Sequence, residues 1–250
     1  MADARTTPRS VRAAGPQPRP GRVGSRQRAS HSLEAVVSEA TALLDEAGEQ
    51  ALTFRALAAR LGGGVGSIYW YVSSKDELVA RASDHVLAGV LAATEGRTGA
   101  EDPVDGLREV ALAFFDAVSS RPWLGAYFLR DVDLQPNAVL LYERMGQQVL
   151  RLHLTPRQSF HAVSAVMGYV IGTGADLGRR PEVGGGEPAR EEGLSEVVEV
   201  WRSLDPAQFP FIRHVVEEFA EHEDREQFRA GLDLLLAGLR LQASAGQGPS

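Results

Sequence analysis

From Leu33 onward, apolar side chains fall at Val36, Val37, Ala40, Leu43, Leu44 and Ala47. Steps of three and four residues put them on one face of a helix, and Gly48 stands where a C-cap belongs. Thr53 is placed as an N-cap ahead of a short amphipathic run over 54–61 that stops at Gly62. Three glycines follow, then a third run over 65–72. Ser73, with Asp76 three residues on, predicts the cap of a long helix over 75–94. After a break at 96–103 the helical period resumes over 104–119, 123–130, 136–153, 156–177, 190–204, 208–222 and 225–242. Residues 178–188 hold four glycines and two prolines and read as a flexible loop. No segment alternates with period two over any length, so the chain is predicted to be all-α, with roughly nine or ten helices.

Composition sharpens this picture at the ends. Residues 1–30 are rich in Arg, Pro, Gly, Ser and Ala and hold almost no large apolar side chain. They cannot bury enough surface to offset their chain entropy, which predicts a disordered arm. The tail over 243–250 is small and polar and is expected to fray. The absence of cysteine excludes a disulfide framework, a thiolate metal site and a cysteine nucleophile. The longest apolar stretch, 162–174, is interrupted by serine, threonine and glycine and falls short of the ~18 residues of a membrane span. The arginine-rich start lacks the apolar core of a secretory signal. A cytoplasmic protein with no membrane partner is expected.

Charge is distributed unevenly. Residues 1–30 carry seven arginines against one aspartate, whereas the whole 250-residue chain has a net charge of −7. A basic arm ahead of an acidic body predicts that the arm meets a polyanion. Within the acidic part, residues 51–75 contain no acid and carry Arg55, Arg60 and Lys75, the last being the only lysine. The same window holds Phe54, Tyr69, Trp70 and Tyr71.

Three short helices with a glycine-containing turn between the second and third make a helix-turn-helix, whose third helix enters the major groove. A phosphate-facing surface needs positive charge and no negative charge, the condition that 51–75 meets. The hydroxyls of Thr53, Ser67, Tyr69 and Tyr71 add donors suited to phosphate oxygens. The stretch LTFRALAARLGGGVGSIYWYVSSKDELV resembles the DNA-binding segment of the TetR family of bacterial repressors. The matching positions are Leu52-Thr53, Arg55, Leu57-Ala58, Leu61-Gly62, Ile68-Tyr69, Trp70-Tyr71, Lys75 and Leu78. The IYWYV run, and the C-terminal FPFIRHVVEEFAEHEDREQFRAGLDLLLAGL, are similar to the tetracycline-repressor branch.

The resemblance implies a division into a basic arm (1–30), a helix-turn-helix domain (31–78), a helical ligand-binding and dimerisation domain (79–242) and a flexible tail (243–250). It implies that Thr53 and Arg55 meet the DNA backbone or an outer base. Val65, Gly66 and Ser67 would face bases, and Tyr69, Trp70, Tyr71 and Lys75 would grip phosphates. Gly63 and Gly64 replace bulkier residues at the turn and are expected to make it mobile. Valine at 65 can offer a base only apolar contact.

For the body, the resemblance implies one ligand pocket per subunit. Candidate lining residues are Phe115, Trp123, Tyr127, Tyr142, Met145, Met167, Tyr169 and Asp176, with His153 and His161 as lesser candidates. Tyr127 and Asp176 take the places of a histidine and a glutamate that chelate a magnesium–drug complex in tetracycline repressors. Without the imidazole, a planar aromatic natural product held without metal is the expected effector, and no cofactor is called for. Small residues on one side of 156–177 and 225–242 let helices approach closely. The family dimerises through these two helices, which nominates Ala165, Gly168, Gly172, Leu232, Leu235 and Leu239.

The function implied is a ligand-responsive regulator that binds a palindromic double-stranded operator as a homodimer and is released by a small, largely apolar effector. An enzyme would need a phosphate loop, a nucleophile elbow or a zinc helix, and none is present. A helical small-molecule-binding or adaptor protein without specific DNA binding is the alternative, and it leaves the acid-free window and the basic arm unexplained.

Overall fold

The computed structural model describes residues 31–96, 99, 101–130, 135–179 and 186–246. The expectations for the arm, for the middle of the 178–188 loop and for the last four residues lie outside them. The described residues form eleven helices and no strand. They are α1 (Leu33–Ala51), α2 (Phe54–Arg60), α3 (Val65–Ile68), α4 (Lys75–Ala93), α5 (Pro103–Ser119) and α6 (Pro122–Arg130). There follow α7 (Pro136–Leu150), α8 (Pro156–Arg179), α9 (Gly186–Ser203), α10 (Pro210–Glu221) and α11 (Asp224–Gly246).

Local chemistry sets the boundaries. Ser32 caps α1 by accepting from the Ala35 amide, and Thr53 caps α2 by accepting from Ala56. At the end of α2, Gly62 takes φ 70°. Its amide donates to Ala59 and the Gly63 amide donates to Ala58, the paired bonds of a Schellman ending that a residue with a side chain adopts only under strain. The cap of α4 lies one residue later than the spacing suggests. Ser74, not Ser73, accepts from the amide of Glu77, and the Glu77 carboxylate reaches back to the amide and hydroxyl of Ser73. Glutamate's longer side chain closes this box, where Asp76 does not.

The third run differs most from its predicted form. Only Val65–Ile68 is helical. The amides of Tyr71 and Val72 then both donate to the Ile68 carbonyl, and this turn drives Ile68 and Val72 into the core while Tyr69 and Trp70 remain outside. Near the other end, α9 begins at Gly186, inside the expected loop, and α11 continues to Gly246, through part of the expected fraying tail.

One cluster of buried apolar side chains extends from Val36 of α1 to Leu239 of α11, so the N-terminal helices and the body share a core. The long α4 runs through it, packing on α1, α5 and α7. Two ties fix α4 to α7. Asp84 accepts from the backbone and side-chain amides of Asn137, and Arg144 donates to the Leu91 carbonyl and to the Thr94 hydroxyl. Helix α6 lies against α8 with almost no clearance. A Cβ on Gly125 would come within 2.8 Å of the Ala175 Cα and 2.9 Å of its Cβ.

Two outcomes follow from these contacts. Gly125→Ala must push α6 from α8, and it is expected to lower stability by about 1–3 kcal/mol in urea denaturation; an unchanged midpoint would show slack at this crossing. The bonds from Ser73, and then from Arg81, hold the Glu77 carboxyl down at about 2, below its ordinary 4.5. Because the folded-state value is the lower one, the stabilisation is complete above pH 4.5 and drains away as pH falls toward 2. Glu77→Gln is expected to flatten that part of the acid-denaturation curve, and a curve of unchanged shape would refute the assignment.

Candidate nucleic-acid interface and helical body

The predicted DNA-facing residues lie together over α2, α3 and the turn after α3, and they divide into two groups. Arg55 is exposed on α2. Tyr69 is 60% exposed, its ring edge-on to Phe54 at 4.7 Å, and Trp70 is 88% exposed. An indole left this open in a chain with ample core is held outward by the turn, not by any lack of places to bury it. Gly66 is exposed, whereas Val65 and Ser67 are half-buried. Val65 packs on the core, and the Ser67 hydroxyl donates to the Gly64 carbonyl at 2.6 Å.

The second group is tied internally. Thr53 spends its hydroxyl on the cap of α2. The Tyr71 hydroxyl donates to the His31 carbonyl, fastening the start of the ordered chain to the end of the recognition turn. Lys75 donates to the Glu49 carbonyl at 2.5 Å, at the end of α1, where the helix's own last turn has no basic residue. Arg60 is not a phosphate group. Its guanidinium forks onto Glu46 at 2.7 and 2.8 Å and also holds Glu39. The acid-free stretch of sequence is therefore not acid-free in space, because α1 brings carboxylates to it.

Glu39 and Glu46 belong to a row of acids on α1, and two more members reach the body. Asp45 accepts from the Trp123 indole at 2.7 Å and from Arg121 at 3.2 Å. Glu49 pairs with Arg130 at 3.2 Å. All three partners lie on or just before α6. Trp123, nominated for the pocket, is 4% exposed, and its one polar atom is spent on α1.

The other pocket candidates spread through the body. Phe115 of α5 stacks on Phe228 of α11 at 3.6 Å, and Phe228 stacks in turn on Tyr169 of α8 at 5.2 Å. The Tyr169 hydroxyl donates to the Phe228 carbonyl at 3.3 Å, and burial pushes its pKa up. Tyr127 and Met145 are buried on α6 and α7, and Met167 is half-buried on α8. Tyr142 and Asp176 are exposed. Tyr169 and Asp176 share a cleft of about 350 Å³ between α8 and the start of α11. A groove of about 860 Å³ between α1, α4 and the start of α7 includes none of the eight. His153 sits at the turn after α7 with φ 54°, and His161 is exposed on α8. Among the described residues no group of three or more His, Asp or Glu is placed to hold a metal ion.

Ala165, Gly168 and Gly172 form an exposed stripe of small residues along α8. On α11 the correction is one of phase. Leu232 and Leu239 are buried against the chain's own core, while Leu234 and Leu241 are 77% and 72% exposed, with Leu235 beside them. The leucine-rich sequence did not say which leucines serve the fold. The three-residue offset does, since 234, 238 and 241 share a face while 232, 236 and 239 share another. Between α8 and α11 a groove of about 310 Å³ is lined by Ala165, Leu234, Leu235 and Gly238.

Residues 36–82 match the model described as bacterial regulatory proteins of the tetR family, and 95–243 match the tetracyclin repressor-like C-terminal domain. The chain is 28% identical over 239 residues to the HTH-type transcriptional repressor Rv1353c of Mycobacterium tuberculosis, covering 92% of this chain and 88% of that protein. The solved structure of SCO7222, a TetR regulator from Streptomyces coelicolor, is 36% identical and superposes with a TM-score of 0.73 over 85% of this chain and 99% of that one. The complex of Streptomyces coelicolor ActR with actinorhodin shares the fold at 22% identity and a TM-score of 0.70, over 84% and 96% of the two chains. No helix among the described residues is long and apolar enough to cross a membrane. The aromatic recognition turn, the body on which it is mounted and the two family matches agree: the chain belongs to the TetR family of bacterial transcriptional regulators.

Proposed function

We propose that this protein is a repressor that binds a near-palindromic operator as a homodimer in the cytoplasm and lets it go when a small, largely apolar effector binds the body. The observation that carries the DNA part is the recognition turn, with Tyr69 and Trp70 open to solvent beside the exposed Arg55. In this reading Gly66, with Val65 and Ser67 at the start of α3, faces base edges. Thr53, Tyr69, Trp70, Tyr71 and Lys75 lie along the backbone, Lys75 with the protons left over from its bond to Glu49. The homodimer forms through Ala165, Gly168 and Gly172 of α8 and Leu234, Leu235 and Leu241 of α11, with Leu232 and Leu239 supporting that face from within. Two-fold symmetry then places the recognition helices about 34–36 Å apart, one helical turn of DNA, or a multiple of that.

The effector reading rests on the aromatic content of α5 to α8 and on the ActR complex, in which actinorhodin is bound. A planar aromatic compound would enter among Phe115, Tyr127, Tyr142, Met145, Met167 and Tyr169, with Asp176 at the rim. Trp123 acts through Asp45, as the link from α6 to α1, rather than as a wall of the pocket.

DNA binding is tested on duplexes selected by the protein from a random-sequence pool. Arg55→Ala is expected to weaken all sequences alike and to lower the salt slope by about one. Trp70→Ala should lose affinity with no change in thermal unfolding. Leu234→Glu should yield monomers in solution and abolish specific binding, and a monomer with full affinity for a single site would end the dimer reading.

The switch is tested with actinorhodin and a panel of planar aromatic compounds. A true effector is expected to lower DNA affinity by about 5–150-fold. Trp123→Phe, which keeps an aromatic ring but removes the donor to Asp45, should shrink that factor while leaving the effector's affinity for free protein unchanged. Loss of effector binding in that variant would instead return Trp123 to the pocket.

A further inference from the structure

The three stacked rings of the body are not equally tight. Phe115 of α5 and Phe228 of α11 are parallel within 5° at 3.6 Å, and both are buried. Phe228 and Tyr169 of α8 are parallel within 10° but 5.2 Å apart, and Tyr169 is half-buried. A flat ring placed between two others needs about 7 Å, two contacts of roughly 3.5 Å. The Phe228–Tyr169 pair is nearer to that spacing, and its outer ring lies at the edge of the stack.

Tyr169 is held there by weak ties. Its hydroxyl donates to the Phe228 carbonyl at 3.3 Å and lies 3.5 Å from that of Gln227, both long for an O–H···O bond. It fits only because residue 231 is glycine. A Cβ on Gly231 would overlap the Tyr169 hydroxyl and come within 2.6 Å of its Cζ. Ring and seat together fill space that an inserted ligand would claim.

Tyr169 also lines the cleft of about 350 Å³ between α8 and the start of α11. Thr173 and Asp176 reach this cleft from α8, and Asp224 and Gln227 from α11. Residues 169, 173 and 176 recur at helical steps of four and three, so they share a face. Asp224 also faces His222 Nε2 at 3.6 Å. The described lining offers two carboxylates and no cationic side chain, so a ligand group seated there has to donate hydrogen bonds and carry no negative charge.

We propose that a planar aromatic ring inserts between Phe228 and Tyr169, and that a protonated amine on its edge enters the cleft toward Asp176 and Asp224. The inference rests on the effector reading above and narrows it from planar aromatic compounds to cationic ones. The rings act through stacking and cation–π attraction, the carboxylates through charge-assisted hydrogen bonds.

The test titrates the full-length protein, free of DNA, by calorimetry with three probes: 1-(2-aminoethylamino)anthraquinone, its N-acetylated form and anthraquinone-2-sulfonate. The amine is expected to bind roughly tenfold or more tightly than the acetylated form, and the sulfonate more weakly than either. Asp176→Asn/Asp224→Asn should remove that preference while the acetylated probe still binds. Gly231→Ala, which turns the Tyr169 ring out of its seat, should bind both anthraquinones roughly threefold or more tightly, because the open state no longer has to be populated first. Tyr169→Phe, which cuts the hydroxyl tie and keeps the ring, should act in the same direction and decides the point if Gly231→Ala does not fold. Equal binding of amine and acetylated probe by the unmodified protein, or a preference that survives the double asparagine variant, would overturn the cleft assignment. Unchanged or weaker binding in a folded Gly231→Ala and in Tyr169→Phe would overturn insertion beside Tyr169. Release from a pool-selected duplex is read separately, with the double asparagine variant as the control for intercalation of the probe into DNA. An amine that binds as expected without lowering DNA affinity strikes the effector reading and leaves the site. Release by another planar compound, with none of the three probes bound, strikes the site and leaves the effector reading.

Discussion

The structure depends on what happens along the acidic row of α1. Glu39, Glu46, Asp45 and Glu49, with the carbonyls that end the helix, form a negative ridge without a basic residue of α1's own last turn to offset it. Cations and donors come from every element that packs nearby: Arg60 from α2, Lys75 from α4, and Arg121, Trp123 and Arg130 from the α6 region. Most of these pairs are partly solvated and singly add little to stability. Their weight lies in geometry. They fix the angle between the helix-turn-helix and the body at one side, while the ties of Asp84 and Arg144 fix α4 to α7 at the other.

That arrangement alters which charges can reach DNA. Counting by sequence assigns three cations to residues 51–75. In space, Arg60 is neutralised by two carboxylates and Lys75 is half-buried at a helix end, which leaves Arg55 as the exposed cation of the window that neither carboxylate of α1 engages. The aromatic side chains take over part of the contact surface. The net charge of the chain is −7, and seven of its 26 basic residues belong to residues 1–30, so the rest of the chain is more acidic than the total shows.

Much of this was legible beforehand, and the exceptions share one cause. Helical periodicity located nearly every element, because a core-facing stripe must recur every three or four residues. Local caps were legible where the partner was within four residues, as at Thr53. What local patterns hide is the distant partner. Glu39 and Glu46, which engage Arg60, lie 21 and 14 residues away. Asp45, which accepts from the Trp123 indole, is 78 residues away. Gly63 was read as slack because His31 is what fills its space. On α11 the spacing signalled leucines on two faces, but the choice between them required knowing that Phe228 and Leu232 face α5 and α8. The shift of the α4 cap from Ser73 to Ser74, decided by the reach of Glu77, and the early end of α3 at Ile68 are local departures.

The body's aromatic content acquires a second meaning from the same contacts. Phe115, Phe228 and Tyr169 form a continuous stack across α5, α11 and α8. An effector that enters between these rings has to part side chains that now touch. Such a ligand favours an expanded arrangement and can shift the equilibrium only by its preference for that arrangement. Two rings of the stack belong to α8 and α11, the helices that also carry the exposed Gly168, Gly172, Leu234 and Leu241. A displacement of Tyr169 or Phe228 would therefore move the helices that carry the proposed dimer face. It would also reach α6, which rests on α8 at Gly125 with no clearance and holds α1 through Trp123. Close packing makes these helices poor at bending and good at moving as units. In the proposed dimer, a disturbance in the aromatic stack would thus change the angle between subunits and that between body and recognition turn, the two angles that set the separation of half-sites such a dimer can reach.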